Sequence, residues 1–167
     1  MVKNDLKINM LFIVLAIFVT ACTVNNRSVQ KKSPGYDHNT RYLRNKIEDF
    51  AKRQLGAKYK YAGKDPRGFD CSGFTSYVFK EFDVNLSASS RLQAQQGKKV
   101  NLKWVQKGDL LFFGSGGKIT HVALVVDNAN AGIYVIHSTT SRGVIIENIS
   151  RSAYWKKRIM FARNVLD

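Results

Sequence analysis

The chain has 167 residues, with 27 Lys or Arg against 12 Asp or Glu, so its formal charge is +15 at pH 7. This length corresponds to one compact domain with a core of its own, while an apolar fraction of 44% excludes disorder. Two cysteines exclude a disulfide scaffold, and the charge indicates polyanionic surroundings such as nucleic acid, anionic lipid or an acidic polymer.

Residues 1–21 have the pattern of an export signal. Lys3 and Lys7 precede an apolar run over residues 8–19, which ends at the small residues Thr20 and Ala21. A run of about a dozen apolar residues is shorter than the ~20 that a spanning helix needs. The pattern therefore favours a cleaved signal over an uncleaved membrane anchor.

The end of that signal, Val19-Thr20-Ala21-Cys22, resembles the bacterial lipobox, in which the cysteine is diacylated and becomes the mature N-terminus. The resemblance implies that Cys22 is the lipid attachment site, through which the protein contacts a membrane, and that the mature chain carries a charge of +14. In a Gram-negative envelope, Thr23 in place of the retention-associated aspartate favours the outer membrane, facing the periplasm. Residues 22–39 are polar and indicate a flexible tether.

Residues 40–167 are the expected folded domain. Thr40 is a candidate N-cap, and Leu43, Ile47 and Phe50 follow at helical spacing before Gly56 ends the pattern. We interpret this first helix as core packing with a basic outer face and assign it no chemistry.

A second helix is predicted to begin at or next to Cys71. Turn-forming residues precede the cysteine, and Phe74, Val78 and Phe82 behind it recur every four residues over about ten residues. Free N–H groups and the positive end of the helix dipole favour a thiolate there, which predicts a lowered thiol pKa. The alternative is that Cys71 is a small buried apolar residue.

A nucleophilic thiol needs a base, and the chain contains three histidines. His38 lies in the polar tether and is interpreted as a solvated bystander. His121 opens a strand-like run over residues 121–126, after a glycine-rich loop that we interpret as a strand connection. His137 ends a second strand-like run over residues 133–137. Two histidines on adjacent strands can face each other, as a base and the group that orients it.

Four motifs follow one another along the predicted domain. They are Phe69-Asp70-Cys71-Ser72-Gly73-Phe74, Lys107-Gly108-Asp109-Leu110-Leu111-Phe112-Phe113, His121-Val122-Ala123 and Ile136-His137-Ser138-Thr139. In this order they resemble the signature of the NlpC family of bacterial cell-wall cysteine peptidases. The resemblance runs from about Tyr42 to Arg163 and includes Tyr154-Trp155.

The resemblance implies an α+β fold: a papain-like domain whose N-terminal helices pack on a central antiparallel β-sheet. It also implies that Cys71 is the nucleophile, His121 the base and His137 the orienting residue. Tyr59 aligns with a family tyrosine near the oxyanion site, although an ordinary strand aromatic would have the same pattern.

Four further residues complete the expected oxyanion and substrate contacts. Asp70 and Ser72 flank the nucleophile, and Ser89 and Ser90 belong to a segment that borders the cleft in the family. That segment departs from the family pattern, because residues 86–90 read Leu-Ser-Ala-Ser-Ser where Leu-Pro-Arg-Thr/Ser-Ser is common.

The predicted function is therefore a cysteine endopeptidase that hydrolyses amide bonds in peptidoglycan stem peptides or crosslinks through a thioester. We expect a monomer without metal or other cofactor and without nucleic-acid binding. One alternative is a lipid-anchored peptidoglycan-binding module on the same fold without hydrolytic activity. Another is a three-ligand zinc site at Cys71, His121 and His137, which no metal-binding motif supports.

Overall fold

The computed structural model of the chain describes residues 38–129 and 131–166. The predicted signal of residues 1–21, the lipid site at Cys22 and residues 22–37 of the predicted tether lie outside the described residues. The last two residues of that tether, His38 and Asn39, belong to the first helix, so the predicted boundary at residue 39 is wrong.

The described chain forms four α-helices, one 3-10 turn and eight strands. The helices are α1 His38–Lys52, α2 Cys71–Lys80, α3 Ser90–Gln93 and α4 Ala153–Lys156, and the 3-10 turn is Leu102–Trp104. The strands are β1 Lys64–Asp65, β2 Gly68–Phe69, β3 Lys98–Val100, β4 Leu110–Ser115, β5 Lys118–Ala129, β6 Gly132–Thr139, β7 Gly143–Asn148 and β8 Ile159–Asn164.

Six of the strands form one sheet in the order β3-β8-β4-β5-β6-β7, and every neighbouring pair is antiparallel. β1 and β2 form a separate small hairpin. The mixed helix and sheet architecture with a central antiparallel sheet confirms the predicted α+β class.

Alternating residues of the central strands supply two apolar clusters, as expected for side chains that point to opposite faces of a sheet. One cluster joins Phe112, Val122 and Leu124 to Phe74 and Val78 of α2 and to residues of α1. The other contains Phe113, Ala123 and Val135, with Trp155 packed against it. The sheet is therefore covered on both faces.

Glycines allow α2 to pack closely on the hairpin before it. A Cβ atom at Gly73 would lie 1.9 Å from the carbonyl oxygen of Gly63, and a Cβ at Gly63 would lie 2.2 Å from that of Gly68. The buried Ser138 hydroxyl also donates to the carbonyl oxygen of Phe69 at 2.7 Å. The start of α2 is thereby held against the end of β6.

The structure differs from the predictions at the first helix. α1 already contains His38, Asn39 and Thr40 and ends at Lys52. Thr40 is therefore inside the helix, and its prediction as an N-cap is wrong because helical spacing of apolar residues does not mark the exact boundary. For α2, the predicted start at Cys71 and the length of about ten residues are confirmed.

Candidate active site

The N-terminus of α2 positions Cys71. Asp70 is the N-cap residue, and its carboxylate accepts the backbone N–H of Gly73 at 2.6 Å. The first intrahelical bond runs from the Phe74 N–H to the Asp70 carbonyl at 3.0 Å. The N–H groups of Cys71 and Ser72 precede this bond, so they have no acceptor within the helix and are directed at the thiol.

The Cys71 thiol is free and half-buried. Burial raises its pKa and the nearby Asp70 carboxylate raises it further, while the N–H groups of Val122, Ser72 and Cys71 itself lower it. The net shift of the pKa is upward, so the predicted lowering of the thiol pKa is wrong. The predicted dipole and N–H effects are present, but the loss of solvent around the sulfur outweighs them.

The two strand histidines form a hydrogen-bonded pair. His121 lies on β5 and His137 on the neighbouring β6, and Nε2 of His121 is 2.9 Å from Nδ1 of His137. The predicted juxtaposition of these residues is confirmed. Because Nε2 of His121 is engaged, Nδ1 is the ring nitrogen that remains for a partner in the cleft.

Both imidazoles are held in their neutral form. Burial and the neighbouring His137 lower the pKa of His121 to about 3. Burial also lowers the pKa of His137, although the carboxylate of Glu147 acts in the opposite direction. At neutral pH the site therefore contains a neutral thiol and two neutral imidazoles, each with one ring proton to place.

Cys71 and His121 line one cleft of about 480 Å³, and the N–H of Val122, the residue after His121, is directed at the thiol. Tyr59 lines the same cleft, and burial followed by the charges of Asp70 and Cys71 raises the pKa of its phenol. Its hydroxyl is therefore protonated and available as a donor.

The other four predicted substrate residues do not line this cleft. The Asp70 carboxylate caps α2, and the buried Ser72 hydroxyl lies 3.1 Å from both Asp70 Oδ1 and the Ala88 carbonyl. Ser89 precedes α3 and Ser90 begins it. The polar side-chain atoms of Asp70 and Ser72 therefore stabilise the start of α2 and its contact with the loop at Ala88, and they are not substrate contacts in this cleft.

Among the other residues that line the cleft are three to which the sequence assigned no role: Trp155, Glu147 and Arg142. The Trp155 ring stacks on His121, with centroids 4.6 Å apart and an interplanar angle of 28°, and lies 5.1 Å from the His137 ring. The motif pattern contained Trp155, but only the fold shows that it packs on both imidazoles. The sequence contains no comparable signal for Glu147 or Arg142.

Within residues 38–129 and 131–166, no group of three or more His, Cys, Asp or Glu side chains is arranged to hold a metal ion. His38 is exposed on α1. Over the same part of the chain, no helix has the length and apolar character needed to cross a membrane.

A thiol beside a neutral imidazole, with N–H donors directed at the sulfur, can carry out nucleophilic attack on a carbonyl group, which is the chemistry of a thiol hydrolase. The sequence profile of the NlpC/P60 family matches residues 56–164.

Known relatives agree with this class. The gamma-DL-glutamyl hydrolase of Bacillus subtilis is 41% identical over 120 residues, which cover 69% of this chain and 28% of that protein. The murein DD-endopeptidase MepS/murein LD-carboxypeptidase of Escherichia coli is 31% identical over 173 residues, which cover 92% of this chain and 89% of that protein.

A solved structure of an NlpC/P60 family protein from Bacillus cereus superposes with a TM-score of 0.68 at 30% identity, over 74% of this chain and 40% of the other. The chain belongs to the NlpC/P60 family, whose peptidases are cysteine peptidases. This confirms the predicted enzyme class.

Proposed function

We propose that this protein is a cell-wall cysteine endopeptidase that hydrolyses amide bonds in peptidoglycan stem peptides or crosslinks. The observation that carries the proposal is the Cys71 thiol in one cleft with His121, which is itself hydrogen-bonded to His137. The similarity to a murein endopeptidase over most of both chains supports peptidoglycan as the substrate.

The reaction begins from the neutral pair. Nδ1 of His121 accepts the thiol proton as Cys71 Sγ attacks the carbonyl carbon, so that a C–S bond forms and the carbonyl oxygen becomes an oxyanion. The tetrahedral intermediate collapses, the C–N bond breaks, and His121 returns its proton to the leaving amine. Water activated by His121 then hydrolyses the thioester and restores the thiol.

The oxyanion is stabilised by donors that are already in place. The backbone N–H of Cys71 has no acceptor within α2, so it can donate to the oxyanion that forms next to the sulfur. The protonated Tyr59 hydroxyl lines the same cleft and is a second donor.

We also propose that the protein is anchored in the cell envelope by an N-terminal lipid. Cys22 carries the lipid, residues 22–37 act as a tether, and the protein works as a monomer at the outer membrane, facing the periplasm. The lipobox-like Val19-Thr20-Ala21-Cys22 supports the anchor, and the charge of +14 on the mature chain favours contact with an acidic polymer.

The two cysteines provide a matched pair of variants. Purified sacculi and a defined crosslinked muropeptide are incubated with the native protein, with Cys71→Ala and with Cys22→Ser, and the products are identified by mass spectrometry. We expect Cys71→Ala to lower the cleavage rate by at least about 10³-fold. Cys22→Ser should cleave at the native rate in solution but should not incorporate fatty acid in cells.

Two results would contradict the proposal. Equal cleavage by the native protein and Cys71→Ala would exclude the thiol mechanism. Retention on sacculi without any cleavage by the native protein would instead identify a peptidoglycan-binding module. The bond that is cut follows from the masses of the products.

A further inference from the structure

Glu147 on β7 lies next to His137 and lines the same cleft as Cys71 and His121. Ile145 is the residue paired with His137 across β6 and β7, and Glu147 is two positions further along the same face of the strand. Its Oε2 atom lies 3.5 Å from Nε2 of His137. Glu147 is therefore a fourth polar side chain in the group formed by Cys71, His121 and His137.

The His137 ring needs a partner at this position. Its side chain is 0% exposed, and Nε2 has no hydrogen bond of ordinary geometry among the described residues. A buried ring N–H without an acceptor is costly, and a carboxylate oxygen of Glu147 lies within 4 Å of this nitrogen. The contact is long for a hydrogen bond, so its effect is mainly electrostatic.

Two donors hold the carboxylate at that place. Nη2 of Arg142 donates to Glu147 Oε2 at 2.7 Å, and Nε1 of Trp155 donates to the same atom at 3.1 Å. An indole N–H can only donate, so the atom facing it is an acceptor. Since Trp155 also stacks on His121, Glu147 is connected to both imidazoles.

The hydrogen-bond partners of the two imidazoles determine which ring nitrogen of each carries the proton. An ionised carboxylate only accepts, which favours a proton on Nε2 of His137. A neutral His137 then has a lone pair on Nδ1 and accepts the Nε2–H of His121 across 2.9 Å. Nδ1 of His121 is consequently unprotonated, which is the state that a base toward Cys71 requires.

We propose that Glu147 is a positioning residue of this site: its carboxylate selects the tautomer of His137 and, through it, keeps Nδ1 of His121 free to accept the Cys71 proton. The catalytic consequence rests on the proposed function, whereas the tautomers themselves do not.

The tautomers can be measured without substrate. The full-length protein is labelled with ¹⁵N-histidine, and long-range ¹H–¹⁵N correlation spectra at neutral pH report which nitrogen of each ring carries the proton. We expect Nε2–H on both His121 and His137 in the native protein. A proton on Nδ1 of either ring would overturn the proposal, whatever the activity of the protein.

The kinetic test compares Glu147→Gln with Glu147→Asp and with Glu81→Gln. The last makes the same chemical change at an exposed glutamate after α2. We expect Glu147→Gln to lower kcat on a defined muropeptide by about 10- to 100-fold with little change in KM. Glu147→Asp, which retains a carboxylate, should recover part of the loss, and Glu81→Gln should retain native kcat.

A purely structural role for Glu147 would give a different pattern. Native tautomers in Glu147→Gln with kcat unchanged, or equal losses in Glu147→Gln and Glu147→Asp, would overturn the proposal. A native protein that shows the expected tautomers but cleaves no muropeptide would contradict the proposed function alone. Thermal unfolding of each variant verifies that the protein is folded.

Discussion

At Cys71, two physical effects act on one sulfur atom in opposite directions. The helix start and nearby N–H groups stabilise a thiolate, but the low-dielectric surroundings and the Asp70 charge destabilise it more, so the pKa is raised. His121 is shifted in the complementary direction, toward the neutral imidazole. The pair therefore rests uncharged, and in the proposed reaction proton transfer accompanies attack on the substrate.

The raised thiol pKa has a direct consequence for alkylation. Because iodoacetamide reacts with the thiolate, its rate at Cys71 should be low at pH 7 and should continue to rise above pH 9. The rate is measured on the Cys71 peptide by mass spectrometry, and the unfolded protein in urea serves as the reference for an ordinary cysteine. A rate that is already at its plateau at pH 6 would contradict the raised pKa.

Among the elements, α2 determines where the Cys71 thiol lies. Its close approach to the preceding hairpin depends on the absence of a side chain at Gly73, where the neighbouring atom is a backbone carbonyl oxygen of Gly63. A backbone atom cannot turn away as a flexible side chain can. The helix and hairpin therefore have little freedom to accommodate a larger residue.

We expect Gly73→Ala to lower the free energy of unfolding by about 1–3 kcal/mol and to reduce activity, because α2 must shift together with Cys71. Denaturant unfolding and muropeptide cleavage measure the two effects. Ser76→Ala, on the same helix, removes only a hydroxyl that donates to the Gly73 carbonyl at 3.1 Å, and should change stability by less than about 0.5 kcal/mol. Equal effects of the two substitutions would contradict the steric explanation.

For the whole molecule, the cleft is the place where distant parts of the chain meet. α2 contributes Cys71, the β5–β6 pair contributes the histidines, and residues 139–158 contribute Glu147 and Trp155. The neutral imidazoles couple this site to the stability of the entire fold. Any condition that protonates them favours the unfolded chain.

Protonation of His121 lowers the free energy of unfolding. Its pKa is about 3 in the folded protein and near 6.5 in the unfolded chain, so below pH 6.5 the unfolded state binds more protons and stability falls as pH decreases. Between pH 6.5 and pH 5 we expect a loss of up to about 2 kcal/mol from this group. Urea unfolding from pH 4 to pH 8 measures the slope, which should be smaller in His121→Gln. Identical slopes would contradict the buried neutral state.

The local parts of the site were predictable from neighbouring residues. Turn formers before Cys71 and apolar residues every four positions behind it were enough to place the cysteine at the first turn of a ten-residue helix. The β-branched runs around His121 and His137 likewise indicated adjacent strands. The spacing of apolar residues indicates which side of a helix or strand faces the core. This spacing can be recognised within a few residues of the chain.

The ionisation state and the outer partners of the histidines were not predictable in this way. Burial is a property of the packed molecule, so the raised pKa of Cys71 required the fold, and the expectation from the helix dipole alone had the wrong sign. Glu147 and Trp155 reach His137 through the β6–β7 pairing and the return of the chain after β7. The sequence by itself indicated Cys71, the two strand histidines and the class of enzyme, because short motifs encode them. Only the tertiary structure decided how the protons are held among these groups, because that depends on solvent exclusion and on contacts between residues far apart in the chain.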